Sequence, residues 1–285
     1  SSVDAPFDSA IFHRARPALS SPCPLPRSTS HQAPVPRTHS RPPAYRRTGM
    51  DAVRVSFVLM NEQPIVKAEI EILSRVDLCK LLSVRSFSAR STQEHKPGFF
   101  WMAQTGQHVP YESRLEMMIL KTVDHERRVR AAISQPIVFH FVRGGKWRRH
   151  VPDFLFPLQE SGALLLNVTT SRRLEDERNR VNFEFCAAVS ERLGWEYVTR
   201  TEPSPVYAAN STWLNGYRRP PWLLERYRDE LLKRATSGLT IEEALRELQP
   251  EAFARPALFH LMWTREIDFD RNEILTDKTK LSKRI

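Results

Sequence analysis

His150-Val151-Pro152-Asp153-Phe154-Leu155-Phe156, followed shortly by Ala163-Leu164-Leu165-Leu166-Asn167-Val168, decides the fold. The first stretch brings an aspartate to the mouth of an apolar run. The second is apolar at successive positions, as in a central strand buried on both faces. Upstream, Tyr111-Glu112-Ser113-Arg114-Leu115-Glu116 opens a helix with a capping box, Ser113 capping and Glu116 bonding back. Leu115, Ile119 and Thr122 share one face of that helix with Glu112 and Glu116. Between helix and aspartate, Gln135 to Phe156 reads as a β-hairpin turning at Gly144-Gly145. Downstream, a helix near Leu174–Leu193 stops at Gly194, and Trp195-Glu196-Tyr197-Val198 gives a last strand. Helix, three strands, helix, strand predicts an α/β domain with a mixed sheet flanked by helices.

Carboxylates at the first helix and at the central strand suit metal-assisted phosphodiester hydrolysis. Such a reaction needs an activated water and a leaving oxygen relieved of charge, and Mg²⁺, a hard cation, supplies both from carboxylate and water ligands. Asp153 is the expected metal ligand, Glu116 the expected partner from the helix, and the Val168 carbonyl a third oxygen. A lysine commonly completes such a site by offsetting phosphate charge. At the corresponding places this chain has Asn167, which can offer a carbonyl oxygen, and Thr169, which carries no charge. Arg172 and Arg173 follow closely and are candidate displaced cations. Plainer roles stand beside these: Glu116 as a helix cap, Pro152-Asp153-Phe154 as a turn before a strand. Arg143, Lys146, Arg148 and Arg149 make the hairpin basic, fit to rest on DNA phosphates or to be solvated surface.

The 285 residues allow one sizeable core and a smaller second one. No apolar run reaches the length of a membrane span. The formal charge is +10 and the isoelectric point about 9.8, which favours a polyanionic partner. Residues 1–49 carry seven Arg against two Asp, half of that excess, in a Pro- and Ser-rich stretch without aliphatic periodicity. This tail is expected to be disordered, with Met50 the natural start. Cys23, Cys79 and Cys186 form no metal-binding spacing, so a reducing, cytoplasmic setting is expected and no secretory leader is read. Cys186, among Phe185, Ala187 and Ala188, reads as core.

Around the central domain, Val53–Val58 and Ile65–Ile70 read as strands, Val76–Leu82 as a short helix and Pro97–Met102 as an aromatic strand. Beyond Glu202-Pro203-Ser204-Pro205 the pattern turns helical: Leu223–Arg234, a second helix capped by Thr240, and a third starting at Pro256. Ile267–Phe269 and Glu273–Leu275 are expected to pair as a small wing. The resulting plan is a tail over 1–49, a nuclease-like domain over 50–202, and a helical, winged-helix-like domain over 203–285 for binding a partner or DNA.

The chain resembles the TnsA-like heteromeric transposase endonuclease subunits of the Pro-Asp…(Asp/Glu)-x-Lys nuclease superfamily. The matching marks, in family order, are Pro97-Gly98-Phe99-Phe100-Trp101, Thr105-Gly106-Gln107-His108-Val109, Tyr111–Glu116, Gln135-Pro136, His150–Phe154 and Phe259-His260-Leu261-Met262-Trp263. The resemblance implies a restriction-endonuclease-like fold with Glu116 and Asp153 as the acidic pair. It places the family's Gln/Asp/Glu-x-Lys pair on Asn167 and Thr169, a departure from the pattern. It implies a Mg²⁺-dependent endonuclease, with Mn²⁺ as a substitute, cutting DNA at transposon ends. Its partners would be a DDE-type transposase and an AAA+ regulator. The alternative is a catalytically inactive scaffold of the same fold that binds DNA and those partners.

Overall fold

The computed structural model describes residues 52–84, 97–126 and 128–283, the side chain of Glu126 excepted. The expected tail over 1–49 and Met50 lie outside the described residues. The described chain is mixed α/β and divides into two compact units. One comprises residues up to Trp101, Gln107–Glu116 and Val129–Thr201; the other comprises Met102–Gly106, Met117–Arg128 and Glu202 onward. The C-terminal unit runs from Glu202 onward and takes in two short upstream segments.

In the first unit, β1 (Arg54–Leu59), β2 (Ile65–Glu69), β3 (Leu81–Leu82), β7 (Ile137–Arg143) and β8 (Lys146–His150) form an antiparallel sheet ordered β2-β1-β7-β8, with β3 also on β1. The expected helix over 76–82 is instead a 3-10 turn at Leu78–Lys80 running into β3, because Leu81 and Leu82 pair with Leu59 and Val58. Gly144 and Gly145, at φ 58° and 72°, close the β7–β8 hairpin as a two-residue turn whose flanking pair is Arg143 and Lys146. Both central residues need positive φ, which glycine adopts without steric cost.

A second sheet is ordered β11-β10-β9-β6, from β6 (Ile133–Ser134), β9 (Phe154–Pro157), β10 (Ala163–Val168) and β11 (Glu196–Arg200). β10 and β11 are parallel, and the other pairings are antiparallel. A parallel pair needs a crossover, which α2 (Glu177–Leu193) supplies. That helix ends where Gly194 turns left-handed at φ 68°. There Trp195 N–H bonds the Ser190 carbonyl at 2.8 Å and Gly194 N–H the Glu191 carbonyl at 3.2 Å. The core of the unit joins both sheets to α2: Phe57, Phe139 and Phe141 from one, Leu155 and Leu165 from the other, Phe185 and Val189 from the helix. Phe141 stacks on Phe185 with centroids 3.9 Å apart. A two-stranded ribbon, β4 (Gly98–Met102) and β5 (Gln107–Tyr111), leads into α1 (Arg114–Glu126). β5 runs alongside β6.

The second unit packs α3 (Pro205–Asn215), α4 (Leu224–Thr236), α5 (Ile241–Leu245) and α6 (Glu251–Trp263) around Leu231, Leu258 and Trp263. The third of the expected helices starts at Glu251, five residues before Pro256, which sits inside it. The wing also differs from expectation: β12 (Ile267–Asp268) pairs with β13 (Ser282–Lys283), and Glu273–Leu275 is not a strand. Asn210 explains this. Its side-chain N–H groups bond the carbonyls of Arg271 and Glu273, and its oxygen accepts from Leu275 N–H, so that backbone is satisfied outside a ladder. The early segments are held in the same way. Buried Asp124 accepts from the N–H groups of Ala103 and Gln104, and His125 Nδ1 lies 2.8 Å from the Trp263 carbonyl.

Candidate functional site

The chain leaves the first sheet at His150, turns through Val151-Pro152, and enters the second at Phe154. Phe154 pairs with Leu166, so one further step of that register sets Asp153 opposite Asn167. β10 runs past the end of β9 here, leaving the Val168 N–H beyond the ladder. Asp153 Oδ2 accepts it at 2.6 Å, a short, charge-assisted bond. The main chain of Asp153 is pinned too, its carbonyl accepting from Gln135 N–H at 2.8 Å. Asp153 and Val168, two of the expected metal-site residues, are thus brought together.

Asn167 is 1% exposed, and a buried carboxamide is costly unless its groups are bonded. Here both ends are used. Oδ1 lies 3.1 Å from His150 Nε2, and Nδ2 donates to the Tyr197 hydroxyl at 3.0 Å. Since Oδ1 only accepts, this contact places a proton on His150 Nε2. The Tyr197 hydroxyl, accepting from Asn167, also lies 2.9 Å from Thr199 Oγ1, with which it shares a hydrogen bond. Burial raises the Tyr197 pKa, and nearby Cys186 and Asp153 raise it further, against the hydrogen bonds to Thr199 and Asn167. Burial also pushes the Cys186 thiol up to about 12; the Asn167 contact opposes this and the Asp153 charge adds to it. The result is a hydrogen-bonded chain, His150–Asn167–Tyr197–Thr199, with the Asp153 carboxylate as its neighbour. Cys186 is fully buried, as its apolar flanks predict.

Thr169 is 8% exposed and gives its N–H to the Arg200 carbonyl at 3.0 Å. It brings a hydroxyl, and no positive charge, to this end of β10. Arg172 and Arg173 lie in the 3-10 turn Ser171–Arg173 and are exposed to solvent. On the hairpin, Lys146, Arg148 and Arg149 are exposed, whereas Arg143 stands 4.0 Å from Glu184 of α2.

Glu116 caps the start of α1. Its Oε2 accepts from Glu112 N–H at 2.8 Å and its Oε1 from the Ser113 hydroxyl at 3.0 Å, while Ser113 Oγ accepts from Glu116 N–H at 3.1 Å. The reciprocal cap read from the sequence is present, with Glu112 rather than Ser113 giving the backbone N–H. Glu116 and Asp153 belong to the same compact unit. Between their elements stand β5 beside β6, and β6 paired to β9 through Ser134 and Phe154. Among the described residues no three His, Cys, Asp or Glu side chains group as metal ligands.

Three contributors were not assigned to the site from the sequence. His150 and Tyr197 are 17 and 30 residues from Asn167, and no spacing rule links residues brought together by two sheets and a crossover. The third is Gln135, 3% exposed, at φ 47° and bonded through its N–H to Asp153. Its Oε1 is buried and has no hydrogen-bond partner among the described residues. A left-handed non-glycine residue costs energy and concentrates at functional places, but propensity gives no sign of it. Compared with known proteins, the chain matches no family model and no curated sequence.

Proposed function

We propose that this chain is a metal-dependent DNA endonuclease subunit of a heteromeric transposase, built on a restriction-endonuclease-like core. The observation that carries the reading is the Asp153–Val168 bond at 2.6 Å. It supports an aspartate held at the mouth of β9, beside positions 167 and 169 of the next strand. Five strands, β6 to β10, rather than the expected three lie between α1 and α2, and the sequence helix, strands, helix, strand, with β10 parallel to β11, is compatible with the order the resemblance implies. Asp153 and Glu116 would hold Mg²⁺ or Mn²⁺, with the Val168 carbonyl as a further oxygen. A bound divalent cation would activate a water and stabilise the leaving oxygen. The residues' own part is narrower. Val168 N–H orients the Asp153 carboxylate, and the uncharged Asn167 carboxamide keeps a second negative charge from arising next to it. By the same resemblance, a DDE-type transposase and an AAA+ regulator are the protein partners.

A second reading, an inactive scaffold of the same fold, is favoured by one specific contact: Asn167 turns its oxygen to His150. Neutral Thr169 in the cation's place points the same way.

The test is nicking of supercoiled plasmid carrying candidate transposon ends, in Mg²⁺ and in Mn²⁺. The endonuclease reading expects divalent-dependent nicking that falls at least about 100-fold in Asp153→Ala, since losing a ligand removes the cation's chemistry. Nicking unchanged by Asp153→Ala would remove this site from consideration. Activity that emerges only in Thr169→Lys would establish the scaffold.

A further inference from the structure

β8 is an edge strand, paired to β7 on one side only. Four of its five residues, Lys146, Trp147, Arg148 and Arg149, are exposed. Alternation sends Lys146 and Arg148 to one face and Trp147 and Arg149 to the other. Charged residues on an edge commonly guard against pairing with another chain, and that role would explain the three cations. It leaves Trp147 unexplained. An indole 63% exposed adds to the adhesive surface such a guard suppresses. The cations are also unspent: among the described residues Lys146, Arg148 and Arg149 have no carboxylate within ion-pair distance, while Arg54, Arg180, Arg192, Arg228, Arg234 and Arg255 do. Holding three like charges within four residues without counterions costs self-repulsion, and a polyanion relieves it.

We propose that the β8 edge is a nucleic-acid backbone site. Lys146 and Arg148, on one face, lie on successive phosphates, while on the other face Arg149 meets the backbone beside the nucleotide on which Trp147 packs its ring. The rise of about 3.3 Å per strand residue puts alternate side chains about 7 Å apart, close to the spacing of phosphates along one DNA strand. Contacts of this kind position DNA without reading its sequence, and an aromatic platform accepts any base. Binding is therefore sequence-independent, steeply salt-dependent and aided by unpaired bases. The inference rests on the nuclease reading for the choice of DNA, and deepens it by assigning the surface that grips the substrate.

The experiment measures binding of the full chain to a fluorescein-labelled 30-base-pair duplex and to the same duplex with a short unpaired stretch. Binding is followed by anisotropy in EDTA, from about 50 to 300 mM salt. EDTA separates gripping from cutting, so a protein that never nicks can still pass. In Lys146→Ala/Arg148→Ala/Arg149→Ala the slope of log K against log salt is expected to fall by about 2.7, and affinity at 0.1 M salt by at least about 30-fold. Trp147→Ala keeps the slope and loses about 5- to 100-fold on the gapped duplex. A charge-matched control, Arg226→Ala/Lys233→Ala/Lys278→Ala, removes three exposed cations of the other unit and leaves the slope in place. Three results overturn the proposal: an unchanged slope in the β8 variant, an equal loss in the control, or equal β8-dependent binding to labelled polyglutamate, which would make the partner an acidic polypeptide. If Asp153→Ala abolishes nicking while the β8 variant binds and nicks as the wild type, the endonuclease stands and this inference alone fails.

Discussion

Replacing the Asn167 carboxamide by a carboxylate changes almost no volume and adds one charge. In Asn167→Asp that charge arises at a position 1% exposed, opposite Asp153, and the Tyr197 hydroxyl loses its donor. Two neighbouring carboxylates in a dry place cannot both ionise cheaply. We expect the variant to melt below the wild type in EDTA, by about 2–4 kcal/mol, and to recover on adding Mn²⁺, which the wild type would do more weakly. Equal melting temperatures with and without Mn²⁺ would argue against a cation at this place. His140 gives a second prediction at this scale. It lies 2.9 Å from Ser56 Oγ, and Ser56 also accepts from Lys67 N–H at 2.9 Å. A Ser–His pair suggests a nucleophile and its base, but Ser56 is wholly buried and His140 5% exposed, so the pair is a strut between β1 and β7. Burial, then the charges of Lys67 and Arg149, lower the His140 pKa to about 4. The unfolded chain, titrating near 6.5, binds the proton more readily, so stability is full above pH 6.5 and drains as pH falls toward 4. The loss is up to about 3 kcal/mol. Urea melts from pH 7 to 4.5 should show it, and His140→Gln should flatten the slope.

At the scale of elements, the pieces legible in the sequence are those fixed by local chemistry. Gly194 is one: nothing lies within 4 Å of an added Cβ, so Gly194→Ala costs only the left-handed backbone at φ 68°. That is about 1 kcal/mol, read as a shift in the urea midpoint; a neutral result would mean that α2 ends some other way. Thr240 is another, its hydroxyl accepting from Glu243 N–H while Glu243 reaches back to Thr240 N–H. Thr240→Ala should also cost about 1 kcal/mol. The Gly144-Gly145 turn belongs with these. Tertiary contacts decided where reading failed. Leu81 and Leu82 become strand because the end of β1, Val58-Leu59, runs past its pairing with β2 and β7. The wing's second strand comes from Ser282–Lys283 because Asn210 occupies the nearer segment's backbone. In the candidate site, the residue types at 116, 153, 167 and 169 were legible. Their actual bonds were not, since His150 meets Asn167 only after the chain passes from one sheet to the other.

The whole molecule carries two cores, and the chain does not divide between them at a single point. A cut at 202, where composition changes, severs Met102–Gly106 and Met117–Arg128 from the unit to which they belong. The consequences are specific. His125, 2% exposed and with its ring centroid 5.1 Å from that of Trp263 at a tilt, loses both that ring and the carbonyl facing its Nδ1. Buried Asp124 would still bind the turn at Ala103 and Gln104, so the helix end would be tethered yet uncovered. A fragment of residues 50–202 is therefore expected to lose several kcal/mol relative to residues 50–285. At about 2–4 °C per kcal/mol for a chain of this size, that is a melting temperature roughly 10 °C lower. Exposure of apolar surface should appear as dye binding, and limited proteolysis should cut first within 117–128. The composition of the sequence hides this dependence, because periodicity marks α1 as one continuous helix and says nothing of which core its second half joins. A 50–202 fragment melting at the temperature of the longer chain, with 117–128 resistant to protease, would show that the first core stabilises the whole helix and that the break at 202 is the true one.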